Sequence, residues 1–227
     1  LIGAAGSCIV LRVQQVLVYA DSLSWGIVPG TRERHPFHVR WPGVLERRLD
    51  AGRGVVRVIE DCLNGRRTVF EDPFKPGRSG LAGLAQRIEI HSPLALVILM
   101  LGTNDLQSMH PHNAWHAAQG VAALVGAIRG APIEPGMPVP AVLIVAPPAI
   151  RAPRGTIAAK FAGGDVKCRG VADAYREVAA AASCSFFDAG AVVSASEIDG
   201  VHLDAEAHVS LGAALEDVVR PLLSPLP

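Results

Sequence analysis

Apolar residues in this chain gather into short runs, most of them continuous. Five such runs occupy residues 16–20, 55–60, 95–101, Ala141–Ala146 and 185–187. Continuous runs of this length mark strands buried on both faces of a parallel sheet, whereas strict alternation marks a sheet with one wet face. Between the runs the apolar spacing turns helical. Residues 42–51 open on Pro42, whose fixed φ and missing N–H suit a first helical turn. Residues 113–129 begin at Asn113, a good N-cap, and place Trp115, Ala118, Ala122, Val125 and Ile128 near one face. Residues 171–182 and 205–223 read as two further helices, and 81–90 as a weaker one.

Strands alternating with helices predict an α/β fold. The expected form is a single-domain three-layer sandwich, flavodoxin-like, with a five-stranded parallel sheet and right-handed crossovers. No internal repeat is visible. The stretch 131–140 carries Pro132, Pro135, Pro138 and Pro140, and reads as an ordered loop because the strand–helix rhythm resumes directly after it. Residues 1–12 read as a poorly ordered extension ahead of a domain over 13–227. In the extension the first basic residue, Arg12, follows the apolar stretch, the wrong order for a secretory signal. Lipid attachment at Cys8 is the competing reading.

Composition narrows the partners. The 227 residues fit one domain, and 21 Lys plus Arg balance 21 Asp plus Glu. A neutral chain argues against nucleic acid or an anionic membrane as the main partner. No apolar run reaches the ~18 residues needed to span a bilayer. With 50% hydrophobic and 19% charged residues, a large core is available, and a soluble, cytoplasmic protein is expected. Cys8, Cys62, Cys168 and Cys184 form no C-x-x-C pair and read as free thiols.

Ligands of open parallel sheets bind beyond the carboxyl ends of the strands, so the residues after each run carry the chemistry. After the first run comes Ala20-Asp21-Ser22-Leu23-Ser24-Trp25-Gly26, and after the second Asp61-Cys62-Leu63-Asn64-Gly65-Arg66. The third is followed by Gly102-Thr103-Asn104-Asp105, and Asp199-Gly200-Val201-His202 precedes the last helix. A serine hydroxyl becomes nucleophilic when an imidazole removes its proton, and the imidazole needs a carboxylate to fix its tautomer. Ser22, His202 and Asp199 supply these types, with Asp199 and His202 three apart on one short loop. An oxyanion needs donors aimed at it, for which the N–H groups of Ser22 and Gly65 and the amide of Asn104 qualify.

In this order the four segments resemble the blocks of the SGNH (GDSL) hydrolase superfamily, as Ser22, Gly65, Asn104 and His202. The detailed context is similar to small bacterial arylesterases, some of which also transfer acyl groups or perform perhydrolysis. That context comprises Ser22-Leu23-Ser24-Trp25-Gly26, Val28-Pro29, Arg40-Trp41, Leu99-Met100-Leu101-Gly102, Gly163-Gly164 with Lys167, and Phe187-Asp188-Ala189-Gly190. The resemblance runs from about Val16 to Leu223 and implies a serine esterase for short-chain acyl esters, a small-molecule ester substrate and a homo-oligomer. Within the superfamily, deacetylation of acetylated sugars and thioester hydrolysis are the alternatives. The contrasting class is a non-catalytic flavodoxin-like binding module, but neither G-x-G-x-x-G nor G-x-x-x-x-G-K-[ST] occurs.

The chain departs from the resembled pattern at Ala20, where the family carries glycine, and at Ile27, where relatives often carry tryptophan. The segment 29–39 is also shorter than in those relatives. Trp25, Ile27 and Phe161 are the expected substrate-binding residues, with Ile157 beside Phe161. His110, His112 and His116 lack a carboxylate at metalloprotease spacing, so they read as loop and helix start. No metal and no cofactor are expected. Arg66 and Arg67 read as ion-pairing residues, Asp105 as structural and His208 as surface or packing.

Overall fold

A computed structural model describes residues 13–223, so the expected N-terminal extension over 1–12 lies outside the described residues. Strands β1 (Gln14–Ala20), β2 (Val56–Cys62), β3 (Leu96–Met100), β4 (Ala141–Ala146) and β5 (Ser185–Asp188) form one sheet in the order β2-β1-β3-β4-β5. Every pairing is parallel. The central strands explain the continuous apolar runs: all five residues of β3 and the last five of both β1 and β4 are buried. The edge strands β2 and β5 are only partly covered.

Among the described residues seven α-helices connect and flank the strands: α1 (Ser22–Trp25), α2 (Trp41–Asp50), α3 (Leu84–His91), α4 (Ala114–Arg129), α5 (Gly164–Lys167), α6 (Val171–Ala181) and α7 (Ala205–Val219). The chain winds from β1 outward to β2, then returns across β1 to β3 and continues to β5. With right-handed crossovers, this reversal puts α2 on the opposite face from α3, α4 and α6. Accordingly α2 packs on α7, while α4 packs on α3 and α6. The reversal also parts the connections that leave β1 and β3, opening a crevice at their carboxyl ends.

The predicted helices are present with small shifts. The last one ends at Val219, and its expected continuation is a 3₁₀ turn over Arg220–Leu222. Asn113 caps α4 by accepting from the His116 N–H, and the His116 ring closes a capping box on the Asn113 N–H. Short helices α1 and α5 were not legible from periodicity, because four residues contain no helical repeat. Cys62, Cys168 and Cys184 are free, and burial raises the pKa of each thiol. No helix among the described residues is long and apolar enough to cross a membrane.

Gly102, two residues beyond β3, has φ +116°, and a Cβ built there would clash with the Tyr175 hydroxyl. Tyr175 is fully buried and donates to the Leu101 carbonyl at 2.8 Å, so it has little room to retreat. Gly102→Ala is expected to cost about 1–3 kcal/mol through overpacking, plus the strain of positive φ. Urea unfolding measures this loss; a variant as stable as the wild type would mean that Tyr175 yields freely.

Candidate active site

The sheet brings the separated polar segments to one rim. Asp21 leaves β1 in extended conformation and caps α1, its carboxylate accepting the Leu23 N–H at 3.0 Å. Gly26 closes the helix at φ +86°, its N–H donating to the Ser22 carbonyl at 3.0 Å. Ser22 is thereby fixed on the first turn of a one-turn helix at the crevice. Ala20, in place of the family glycine, is fully buried at the end of β1.

His202 Nε2 lies 3.2 Å from Ser22 Oγ, and its Nδ1 lies 2.7 Å from Asp199 Oδ2. Since a carboxylate only accepts, Nδ1 carries a hydrogen toward Asp199 and Nε2 is left to receive the serine proton. Asp199 is held on all sides. Its Oδ1 accepts the N–H groups of Val201 and His202, both at 2.9 Å, and its Oδ2 accepts the Gly30 N–H at 3.2 Å. Burial opposes ionisation of Asp199, but the hydrogen bond and charge of His202 and these N–H donors outweigh it. The carboxyl is held well below its usual range. The loop needs Gly200 at φ +80°, where a Cβ would meet the Ala152 carbonyl at 2.5 Å.

Gly65 turns the chain after β2 at φ +84°, and its backbone groups make no hydrogen bond among the described residues. Its N–H is therefore a free donor on the cleft. Asn104 is differently placed. Its amide donates to Asp21 Oδ2 at 2.9 Å and to the Arg66 carbonyl at 3.1 Å, so both hydrogens have protein acceptors. Gln107 fixes which way the amide faces, donating to Asn104 Oδ1 at 2.7 Å. Gln107 in turn accepts from Arg67 at 2.8 Å, and Arg67 pairs with Asp72 at 3.2 Å. This buried line from Arg67 through Gln107 and Asn104 to Asp21 was missed in the sequence, because its members are brought together only by the fold.

Ser22, Gly65, Asn104 and His202 line one open cleft together with Ile27, Ile157 and Phe161. Arg32, Asn64, Asp72, Lys75 and Lys160 complete its walls. Of the expected substrate-binding residues, Trp25 is the exception. It does not line this cleft; Arg34 stacks over its ring at 4.6 Å to the centroid. Arg66 pairs with Asp61 at 2.7 Å, as expected of an ion-pairing residue. His208 is fully buried against α2 rather than at the surface, and burial drives its pKa down to about 3.

His110 and His112 stack at 4.8 Å between centroids, and His112 and His116 at 5.3 Å. Burial first, then the neighbouring rings, lowers His112 to about 4. Among the described residues no cluster of three His, Cys, Asp or Glu is arranged to hold a metal ion.

The GDSL-like lipase/acylhydrolase family model matches residues 21–209, which takes in every one of these site residues. The chain belongs to this family. Among solved structures, this GDSL-family protein is similar to a putative arylesterase from Agrobacterium tumefaciens. They share 40% identity over 93% of this chain and 100% of that one, with a TM-score of 0.84. The aryl esterase of M. smegmatis is 35% identical over 93% of this chain and 100% of that one, at a TM-score of 0.87. A carbohydrate acetylesterase from Sinorhizobium meliloti is also 35% identical, over 92% of this chain and 100% of that one, at 0.86. No curated protein sequence matches. The fold is thus that of the SGNH hydrolases, and the protein is an ester hydrolase of that class.

Two buried carboxyls in this hydrolase resist ionisation. Burial pushes Asp21 up to about 6, against the Leu23 N–H, the His202 charge, Asn104 and Arg66. Burial likewise pushes Asp105 up to about 7, although the Thr68 N–H and hydroxyl hydrogen-bond to it. Folded Asp105 therefore keeps its proton to about pH 7, whereas an unfolded aspartate loses it near about 3.9. The folded state binds more protons between these values, so this group's contribution to stability falls as pH rises through that window. Asp105→Asn mimics the protonated form at every pH. Its stability relative to wild type is expected to rise from about pH 4 to about pH 7, by at most about 1.4 kcal/mol per pH unit, and then level off. Urea unfolding of both proteins across this range tests it; a difference independent of pH would contradict it.

Proposed function

We propose that the protein is a serine esterase for short-chain acyl esters, working through an acyl-enzyme on Ser22. The observation that carries this reading is the chain of hydrogen bonds from Asp199 through His202 to Ser22 Oγ, at 2.7 and 3.2 Å. Ser22 Oγ attacks the ester carbonyl while His202 Nε2 takes its proton, and the ionised Asp199 stabilises the imidazolium that forms. The Gly65 N–H, with no protein acceptor, receives the oxyanion together with the Ser22 N–H and the Asn104 amide. For Asn104 this requires sharing or releasing its bond to Asp21. His202 then hands the proton to the departing alcohol, and water attacks the acyl-enzyme along the same route.

Ile27, Ile157 and Phe161 offer an apolar wall to the acyl or aryl group. A second reading is deacetylation of acetylated sugars, favoured by the likeness to a carbohydrate acetylesterase. Both readings use the same acyl-enzyme and differ in the alcohol released. Where an apolar wall admits an alcohol ahead of water, the same intermediate yields acyl transfer.

Hydrolysis of p-nitrophenyl esters from acetate to octanoate tests the reading. The rate is expected to fall with chain length and to vanish in Ser22→Ala, while Asn104→Ala loses on the order of 10²–10³ in kcat. A folded wild type that turns over none of these esters, or a Ser22→Ala variant that keeps its rate, would contradict it.

A further inference from the structure

The cleft beside Ser22 carries a charge pattern that ester hydrolysis alone does not require. Arg32 comes from the loop between α1 and α2, Lys75 from the loop between β2 and α3, and Lys160 from the connection between β4 and α5. All three line the cleft that holds Ser22 and His202. Three separate loops therefore deliver a cation each to one small opening. The chain as a whole has equal numbers of basic and acidic residues, so the local excess is not a consequence of a basic protein.

The acids nearby do not cancel it. Asp72 also lines the cleft, but it is buried, pairs with Arg67 at 3.2 Å, and accepts the N–H groups of Phe74 and Lys75 at 2.9 and 3.1 Å. Asp199 is committed to His202, and Asp21 lies buried beneath the nucleophile. The contrast with neighbouring arginines is direct: Arg34, Arg40, Arg66 and Arg67 all pair with Glu60, Asp61 or Asp72. The side chains of Arg32, Lys75 and Lys160 have no hydrogen-bond or ion-pair partner among the described residues.

These three side chains are exposed and contribute no bond to the fold. Their gathering has an electrostatic cost. Partial desolvation by the cleft walls, ahead of any charge, lowers the pKa of the otherwise exposed Lys160; Asp72 opposes this, and the Arg67, Lys75 and Arg32 charges add to it. Like charges gathered at a cleft with apolar walls focus a positive potential, which draws in and orients an anion. Resting on the esterase reading above, we infer that the ester taken by this site carries an anionic group, which Arg32, Lys75 and Lys160 hold while Ser22 attacks the carbonyl. The reaction is unchanged by it: water cleaves the ester, and the anionic group stays on the acid or the alcohol released.

The test uses esters matched in reactivity but not in charge. On the alcohol side these are 3-(4-acetoxyphenyl)propanoate and its amide, where two methylenes insulate the phenol from the charge. On the acyl side they are the p-nitrophenyl monoesters of adipic acid and of adipic monoamide. In at least one pair the anion is expected to exceed its neutral partner in kcat/KM by about tenfold or more at low salt, with the ratio shrinking as ionic strength rises. The pair that shows the preference tells which half of the ester faces the cations. In the Arg32→Gln, Lys75→Gln, Lys160→Gln triple variant the ratio should fall to about one. Arg57→Gln, which removes one positive charge at an exposed position of β2 outside the cleft, should keep it. Neutral esters hydrolysed as well as anionic ones in both pairs would overturn this inference and leave the esterase reading standing. A ratio that survives in the triple variant would overturn the role of these cations. No hydrolysis of any of the four by folded enzyme would overturn both readings.

Discussion

Asn104 donates to Asp21 across the gap between the ends of β3 and β1, and the site is organised around that bond. The gap exists because the chain reverses its winding direction between these strands, sending one connection to each face of the sheet. A crevice opened in this way exposes strand ends that would otherwise be covered. Asp21 serves both sides of it: one carboxylate oxygen caps the turn that presents Ser22, and the other anchors Asn104. Gln107 and Arg67 extend the line into the interior, so the Asn104 amide is oriented by groups with almost no solvent contact.

The electrostatics of the site follow from which carboxyls have donors and which have only burial. Asp199 accepts three backbone N–H groups and the imidazole, and stays ionised beside the ring that the proposed mechanism makes positive. Asp21 and Asp105 are buried with fewer compensating donors and are pushed toward the neutral form. In the proposed mechanism a second anion close to the oxyanion would oppose it, so a readily protonated Asp21 suits its position better than a firmly ionised one. Different degrees of donation thus give three aspartates of one cleft region different behaviour.

Much of this was legible in the sequence, for identifiable reasons. Continuous apolar runs announce strands buried on both faces, and β1, β3 and β4 are buried in that way. Ser22, Gly65, Asn104, Asp199 and His202 follow strands or precede a helix, and strand ends in a parallel sheet share one rim. The helix α1 was not legible, because its single turn is imposed by the Asp21 cap and the Gly26 close rather than by periodicity. Nor were Arg32, Lys75 and Lys160, which sit in loops where charge is commonplace and acquire meaning only when three loops converge. Trp25 was drawn toward the substrate by its nearness to Ser22 in sequence. Trp25 closes the one-turn helix, and its ring packs against Arg34 instead of lining the cleft.

The central claim is that Ser22 is a nucleophile made reactive by His202. A fluorophosphonate probe tests it most directly, since phosphorus is attacked only by an activated hydroxyl and the adduct persists for mass analysis. The account predicts one equivalent of adduct per chain, carried by the peptide containing Ser22 and lost when His202 is replaced by alanine. An adduct on another residue, or a folded protein that acquires none, would contradict it.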